Sequence, residues 1–119
     1  MSADLAAAVA TLLQSVRGGR GALLMDLDGV PIEQATAEPE LNAEALAAEY
    51  AGLLRHAQSA AAGLRWGAVR SLSVRGAASL VVFRIVSGEL ALGAETGPTD
   101  SRGQTRQAIE EAASQLGDI

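Results

Sequence analysis

The sequence predicts a mixed α/β chain, α+β in detail, of element order α-β-β-α-β-β-β-α, with a five-stranded antiparallel sheet carrying helices on both sides. Three observations predict it. Apolar residues recur at helical spacing in three separate stretches, at the start, the middle and the end of the chain. Between them lie short apolar runs joined by the two-residue turns Asp28-Gly29, Gly76-Ala77 and Ser87-Gly88, and strands joined this tightly must be antiparallel. One run, Ala78 to Val86, reads ASLVVFRIV and is almost continuously apolar, so it needs cover on both faces of the sheet.

Asp4 to Val16 carries Leu5, Val9, Leu12, Leu13 and Val16, which fit one helical stripe. Arg17-Gly18-Gly19-Arg20-Gly21 ends that helix and reads as a linker, since glycine suits a C-terminal cap. Ala22 to Leu27 is a mostly buried strand. Asp28 and Gly29 form the turn, glycine favouring positive φ. Val30 to Ala35 returns as a second strand with Val30, Ile32 and Gln34 on one face. Pro31 cannot donate to a ladder and places this strand at an edge.

Thr36 to Leu41 is a loop, and Asn42 caps a long helix that runs to about Gly63. Its main apolar stripe is read as Leu46, Tyr50, Leu53, Ala57, Ala60 and Leu64. The opposite face holds Ala48, Gly52, Arg55 and Ser59, mostly small residues that permit close approach by another backbone, although alanine is also the best helix former. Strands follow at Ala68 to Arg75, Ala78 to Val86 and Glu89 to Ala94, then a loop from Glu95 to Pro98. Thr99 or Asp100 caps the last helix, which carries Ile109, Ala112, Ala113 and Leu116 and ends near Gly117.

The chain has 119 residues, which fits a single domain over 1–119. Apolar residues make up 49%, enough for a globular core. No apolar run approaches the ~18 residues of a membrane span. The start, MSADLAAAV, has no basic n-region, so no signal peptide is expected. Cysteine is absent, which excludes disulfides and thiolate metal sites, and the expected location is cytoplasmic. The net charge is −5, all nine basic residues are arginine, and the aromatics are Tyr50, Trp66 and Phe83 alone. A nucleic-acid partner is therefore not expected.

ALLMDLDGVPIE, Ala22 to Glu33, has a second reading. An apolar run ending in Asp-x-Asp-Gly resembles the start of a haloacid-dehalogenase-type phosphatase, whose first Asp is the nucleophile and whose second is the general acid. That chemistry needs a lysine for the phosphoryl charge and an acidic cluster for magnesium. This chain has no lysine, and the only aspartates after the motif are the separated Asp100 and Asp118. The phosphatase is thus a remote alternative, and Asp26 and Asp28 are assigned to a strand end and a turn. An EF-hand loop fails because glycine falls at its fourth position, not its sixth. The Gly18 to Gly21 stretch follows a helix instead of opening one, which excludes a phosphate loop. His56, the one histidine, has no Gly-x-Ser-x-Gly elbow or evident triad beside it. Trp66 either packs at a sheet end or, if exposed, anchors an interface. No catalytic residue, metal ligand or cofactor site is expected.

The blocks GALLMDLDGVPIE, LNAEALAAEYAGLLRHA, SLVVFRIV and ELALGAETG, in that order, with Gly103, Arg106 and Ile109 in a closing helix, resemble the Roadblock/dynein light chain family over nearly the whole chain. The resemblance is to bacterial stand-alone members, of the kind paired with small Ras-like GTPases such as the mutual gliding-motility system. It implies a sheet order of 2-1-5-4-3, with the first and last helices on one face and the long helix on the other. It implies no catalytic residues and no cofactor. It also implies a homodimer joined third strand to third strand and long helix to long helix. Ala48, Gly52, Arg55, Ser59, Val69, Ser71 and Ser73 are the expected interface. In that order the edges are strands two and three, and the third, AVRSLSVR, has no proline to protect it. A monomer is expected to leave apolar surface wet around Val69, Val81 or Phe83.

The expected function is a homodimeric scaffold that binds a small Ras-like GTPase and modulates its nucleotide hydrolysis. Glu44 and Glu49, near the acidic start of the long helix, are the expected GTPase contacts. The alternative is a structural adaptor of a larger complex, without effect on nucleotide turnover.

Overall fold

In the computed structural model, residues 2–98 and 102–116 are described. The elements are α1 (Ser2–Ser15), β1 (Gly19–Asp26), β2 (Pro31–Thr36), α2 (Ala43–Gly63), β3 (Ser71–Arg75), β4 (Leu80–Ile85), β5 (Leu90–Thr96) and α3 (Arg102–Leu116). This is the expected order. The expected cap at Thr99 or Asp100 and the helix end at Gly117 lie outside the described residues.

The strands form one antiparallel sheet in the order β2-β1-β5-β4-β3, as the resemblance implied. Strand alternation then builds two cores. Ala22, Leu24, Leu80, Val82, Leu92 and Ala94 point to one face, where Val9, Leu12 and Val16 of α1 meet Ile109, Ala112 and Leu116 of α3. Leu23, Met25, Val81, Phe83 and Ala91 point to the other, under Ala47, Ala51 and Leu54 of α2. The buried β4 run needs both covers and has them.

Gly19 to Gly21 is not a linker. It is the first part of β1, paired with Thr96 and Glu95 of β5, and Gly21 also with Thr36 of β2. A Cβ at Gly19 would lie 2.9 Å from the Leu13 carbonyl oxygen, and one at Gly21 2.9 Å from Leu41 Cδ1. Glycine serves close approach there, while Gly18, at φ +69°, sits in the turn closed by the Gly19 N–H donating to Val16 O at 3.0 Å. Arg20, between them, reaches Ser79 Oγ at 2.9 Å and Glu38 at 3.2 Å. For the same pairing reason β5 continues through Glu95 to a buried Thr96. The third strand begins at Ser71, not Ala68.

The buried stripe of α2 is Ala43, Ala47, Ala51, Leu54 and Ala61. The expected stripe through Leu46, Leu53, Ala60 and Leu64 lies about one residue, roughly 100°, around the helix. Alanines beneath α2 let it lie close to the sheet, and leucines there would prop it away. Leu53 is consequently 45% exposed and Leu64 59%. Val81 and Phe83, expected to be wet, are buried beneath α2, and Val69 is half-buried.

Candidate functional site

The Asp-x-Asp-Gly motif is a structural corner. Asp26 Oδ1 accepts the backbone N–H groups of Asp28 and Val30, each at 3.0 Å, which folds the chain between β1 and β2. The turn is longer than two residues, because Met25 pairs with Pro31 and the register shifts between Leu24 and Met25. Gly29 takes φ +91°, and a Cβ there would sit 3.1 Å from Ala48 Cα. Asp28 is exposed at the tip. Among the described residues no group of His, Cys, Asp and Glu side chains could hold a metal ion.

That corner docks on one flank of α2. The residues expected on the small-residue face of the helix divide accordingly. Ala48 lies under the Gly29 turn, and Arg55 donates from Nη1 to the Leu27 carbonyl at 3.0 Å. A Cβ at Gly52 would meet only Arg55 Nη2, at 4.0 Å, and Ser59 is exposed. Glu44 and Glu49 are exposed on the first half of the helix, Glu44 beside Val30, Ile32 and Gln34 of the hairpin.

The other flank of α2 faces β3. Ala57, Ala60 and Trp66 there line an open groove with Val69, Ser71 and Leu72. Trp66 is 76% exposed, and Val74 continues the apolar surface along β3. Ser71 and Ser73 are exposed on the same strand, which is a free sheet edge. Trp66 is held out by a tight helix end. The Trp66 backbone N–H donates to Ala61 O at 2.9 Å, and Arg65 adopts φ 62°, a conformation that costs a non-glycine residue about 1–2 kcal/mol. Beneath the groove Tyr50 stacks on Phe83 with ring centroids 5.3 Å apart. Burial, reinforced by the charge on Glu95, pushes the Tyr50 phenol above its usual pKa.

Val69 and Ser71 therefore line one groove with Ala57, Ala60 and Trp66, Ser73 stands opposite Val82 on the α1–α3 side of the same edge strand, and Ala48 and Arg55 meet the hairpin. Leu53 and Leu64 are exposed, not in the core stripe expected of them, because an alanine-rich helix offers two apolar stripes and the larger side chains draw the core assignment. For Trp66 the signal was the residue itself: exposed, it takes the anchor reading.

Charge is divided between the two flanks. From Gly21 to Leu54 the chain carries Asp26, Asp28, Glu33, Glu38, Glu40, Glu44 and Glu49 and no basic residue. From His56 to Gly88 it carries Arg65, Arg70, Arg75 and Arg84 and no acidic residue, Arg84 being paired with Glu110 at 2.9 Å, while Arg55 belongs to the hairpin flank. The hairpin side is acidic and the β3 side basic.

A family model described as the Roadblock/LC7 domain matches residues 5–92. Among solved structures the chain resembles Myxococcus xanthus MglB, at 20% identity and a TM-score of 0.90 over 99% of this chain and 88% of that one. It resembles the gliding protein MglB of Thermus thermophilus at 20% identity and a TM-score of 0.87, over 98% and 89% of the two chains. A structure described as MglB with tetrameric arrangement matches at 19% identity and a TM-score of 0.89, over 98% and 88%. No curated protein matches the sequence. Among the described residues no helix is long and apolar enough to cross a membrane.

Proposed function

Since the chain belongs to the Roadblock/LC7 family, we propose that it is a non-enzymatic cytoplasmic homodimer that binds a small Ras-like GTPase and modulates its nucleotide hydrolysis. The observation that carries this reading is the open β3 edge beside exposed Leu53, Leu64, Trp66 and Val74. An unprotected edge next to apolar surface is a template for strand pairing. A two-fold pairing of β3 with itself closes and leaves no further edge of its kind. Centred on Ser73, it sets Arg75 against Ser71, so like charges do not meet directly. Gly52 and Ser59, on the outward crest of α2, allow the second helix to approach. Val69, Ser71 and Ser73 remain in the proposed seam, and Leu53, Ala57, Ala60 and Trp66 join it.

The paired helices then form a platform whose outer parts carry Glu44 and Glu49, the proposed GTPase contacts. The likeness to MglB gives the fold, and the regulatory role is inferred from the family. Acceleration of hydrolysis would come from ordering the GTPase's own machinery, since nothing marks one of the arginines as a finger supplied in trans.

Light scattering tests the dimer, and GTP hydrolysis by a cognate GTPase, with and without this protein, tests the regulation. A mass near 24 kDa and an altered hydrolysis rate are expected, twice the 12.1 kDa chain. A mass near 12.1 kDa at micromolar concentration would refute the dimer. Binding without a change in turnover would instead establish the adaptor.

A further inference from the structure

The sheet has a second edge, β2, that the β3 seam leaves untouched. We propose that β2 and the start of α2 together take up an extended partner segment of alternating aliphatic and basic residues, added as a sixth strand. The backbone is the first reason. Ala37 N–H donates to Arg20 O at 2.8 Å, and Thr36 pairs with Gly21, Ala35 with Ala22 and Gln34 with Leu23. Antiparallel alternation then turns the backbone groups of Ala35 toward β1 and those of Gln34 and Thr36 out of the sheet. Pro31, which has no N–H, lies at the far end of the strand and leaves these outward groups intact.

The side chains are the second reason. Val30 is 56% exposed and Ile32 43%, both unusually open for β-branched aliphatic residues in or beside a strand. With Gln34 and Glu44 they line an open groove between β2 and the first turn of α2. A strand laid along Gln34 and Thr36 would cover them with every second side chain.

Charge names the occupant. Glu33 and Glu44 line the groove, and the chain from Gly21 to Leu54 also carries Asp28 and Glu40 and no basic residue. Arg20 is turned to Glu38 and Glu95, and Arg55 to the Leu27 carbonyl. A nucleic acid or an acidic segment would be repelled, whereas arginine or lysine at the intervening positions would find carboxylates. A second copy of this chain offers one strand of that character, β3 with Leu72, Val74 and Arg75, and the two-fold seam already consumes it. A partner protein's basic, aliphatic segment is the remaining fit.

The probe is a fluorescent twelve-residue peptide of alternating valine and arginine, with a valine–glutamate peptide as control, read by anisotropy and by amide chemical shifts. The arginine peptide should bind at micromolar concentration, with shifts at Ile32, Gln34 and Thr36, and weaken as salt rises. Ile32→Arg should weaken it at least tenfold and Glu44→Gln at least threefold, with both variants keeping the wild-type melting temperature. Ser71→Pro, on the opposite edge, should leave binding unchanged even where it abolishes the dimer. Equal binding of the glutamate peptide, shifts centred on β3 or α3, or unaltered affinity in both the Ile32 and Glu44 variants would overturn the proposal. So would self-assembly beyond two copies that Ile32→Arg abolishes, which would make a second copy the occupant.

Discussion

Gly93 should be the least replaceable glycine in the chain, and the direction of its effect should depend on one neighbour. It lies in β5 opposite Phe83 of β4, and a Cβ built there would fall 2.3–2.5 Å from three carbons of the Phe83 ring. Carbon atoms rest at about 3.5–4.0 Å. The ring would have to retreat by about 1.0–1.7 Å to restore that spacing. It has nowhere to go, since Phe83 is fully buried and stacked on Tyr50 under α2. Overpacking of this kind costs about 1–3 kcal/mol. At roughly 4 °C per kcal/mol, Gly93→Ala should melt about 4–12 °C below the wild type. With the ring removed by Phe83→Ala, the same substitution should stabilise by about 0.5–1 kcal/mol, because alanine loses less backbone entropy than glycine in a strand. The assay is denaturant unfolding of all four chains at one fixed protein concentration, which keeps self-association from entering the comparison. Equal costs of Gly93→Ala in both backgrounds would show that the ring is not the cause.

Other substitutions separate corner, cap and titration. Asp26→Ala should cost about 1–2 kcal/mol by leaving two turn N–H groups without their acceptor, whereas Asp26→Asn keeps a carbonyl oxygen there and should stay within about 0.5 kcal/mol, both measured by chemical denaturation. Arg65→Gly relieves a positive φ and should be neutral or stabilising by up to about 1 kcal/mol in a thermal melt; a loss above 1 kcal/mol would mean that the Arg65 side chain holds the helix end. The raised pKa of Tyr50 means that the unfolded chain gives up this proton first as the solution turns alkaline. Its contribution is complete below pH 10.0 and is lost as pH rises through the folded-state pKa, so Tyr50→Phe should show a shallower alkaline loss of stability than the wild type. Trp66→Ser, at an exposed site, should leave the fold intact and halve the mass seen by light scattering, and an unchanged mass would remove Trp66 from the seam.

Strand pairing and turns were legible in the sequence because their signals are local. The three turn positions, the capping Asn42 and the apolar run from Ala22 to Leu27 each depend on a few adjacent residues. Asn42 does accept from Ala45 N–H at 3.0 Å as a cap should. Long-range consequences were harder to read. Gly19 and Gly21 look like a linker until Leu13 and Leu41 are seen to press on them, and nothing near them in sequence says so. The phase of α2 failed for a related reason. Alanine is compatible with the core, with the surface and with an interface, so a helix with nine alanines between Ala43 and Gly63 does not fix which stripe is buried.

The same ambiguity has a structural use. Because mostly alanines lie beneath α2, with Leu54 the one buried leucine, the helix rests low on the sheet, and Leu53 and Leu64 remain outside. Leu53 and Leu64 are exposed for that reason, and they flank a strand edge with no proline. Had the leucines faced inward, as periodicity weighted by size predicts, the molecule would have a thicker core and a polar, alanine-lined outer face. Apolar material has thus been kept out of the core and placed beside β3. On the opposite flank the hairpin closes over Ala48 through Gly29, where an added Cβ would lie 3.1 Å from Ala48 Cα. One helix therefore separates two surfaces of different character: a basic, apolar one next to an open strand, and an acidic one next to the other edge. A two-fold pair built on the first would bury basic segments at its centre and carry its carboxylates at both ends. Salt should then weaken any contact made to the acidic ends while changing the β3 seam little, since like charges do not meet directly there.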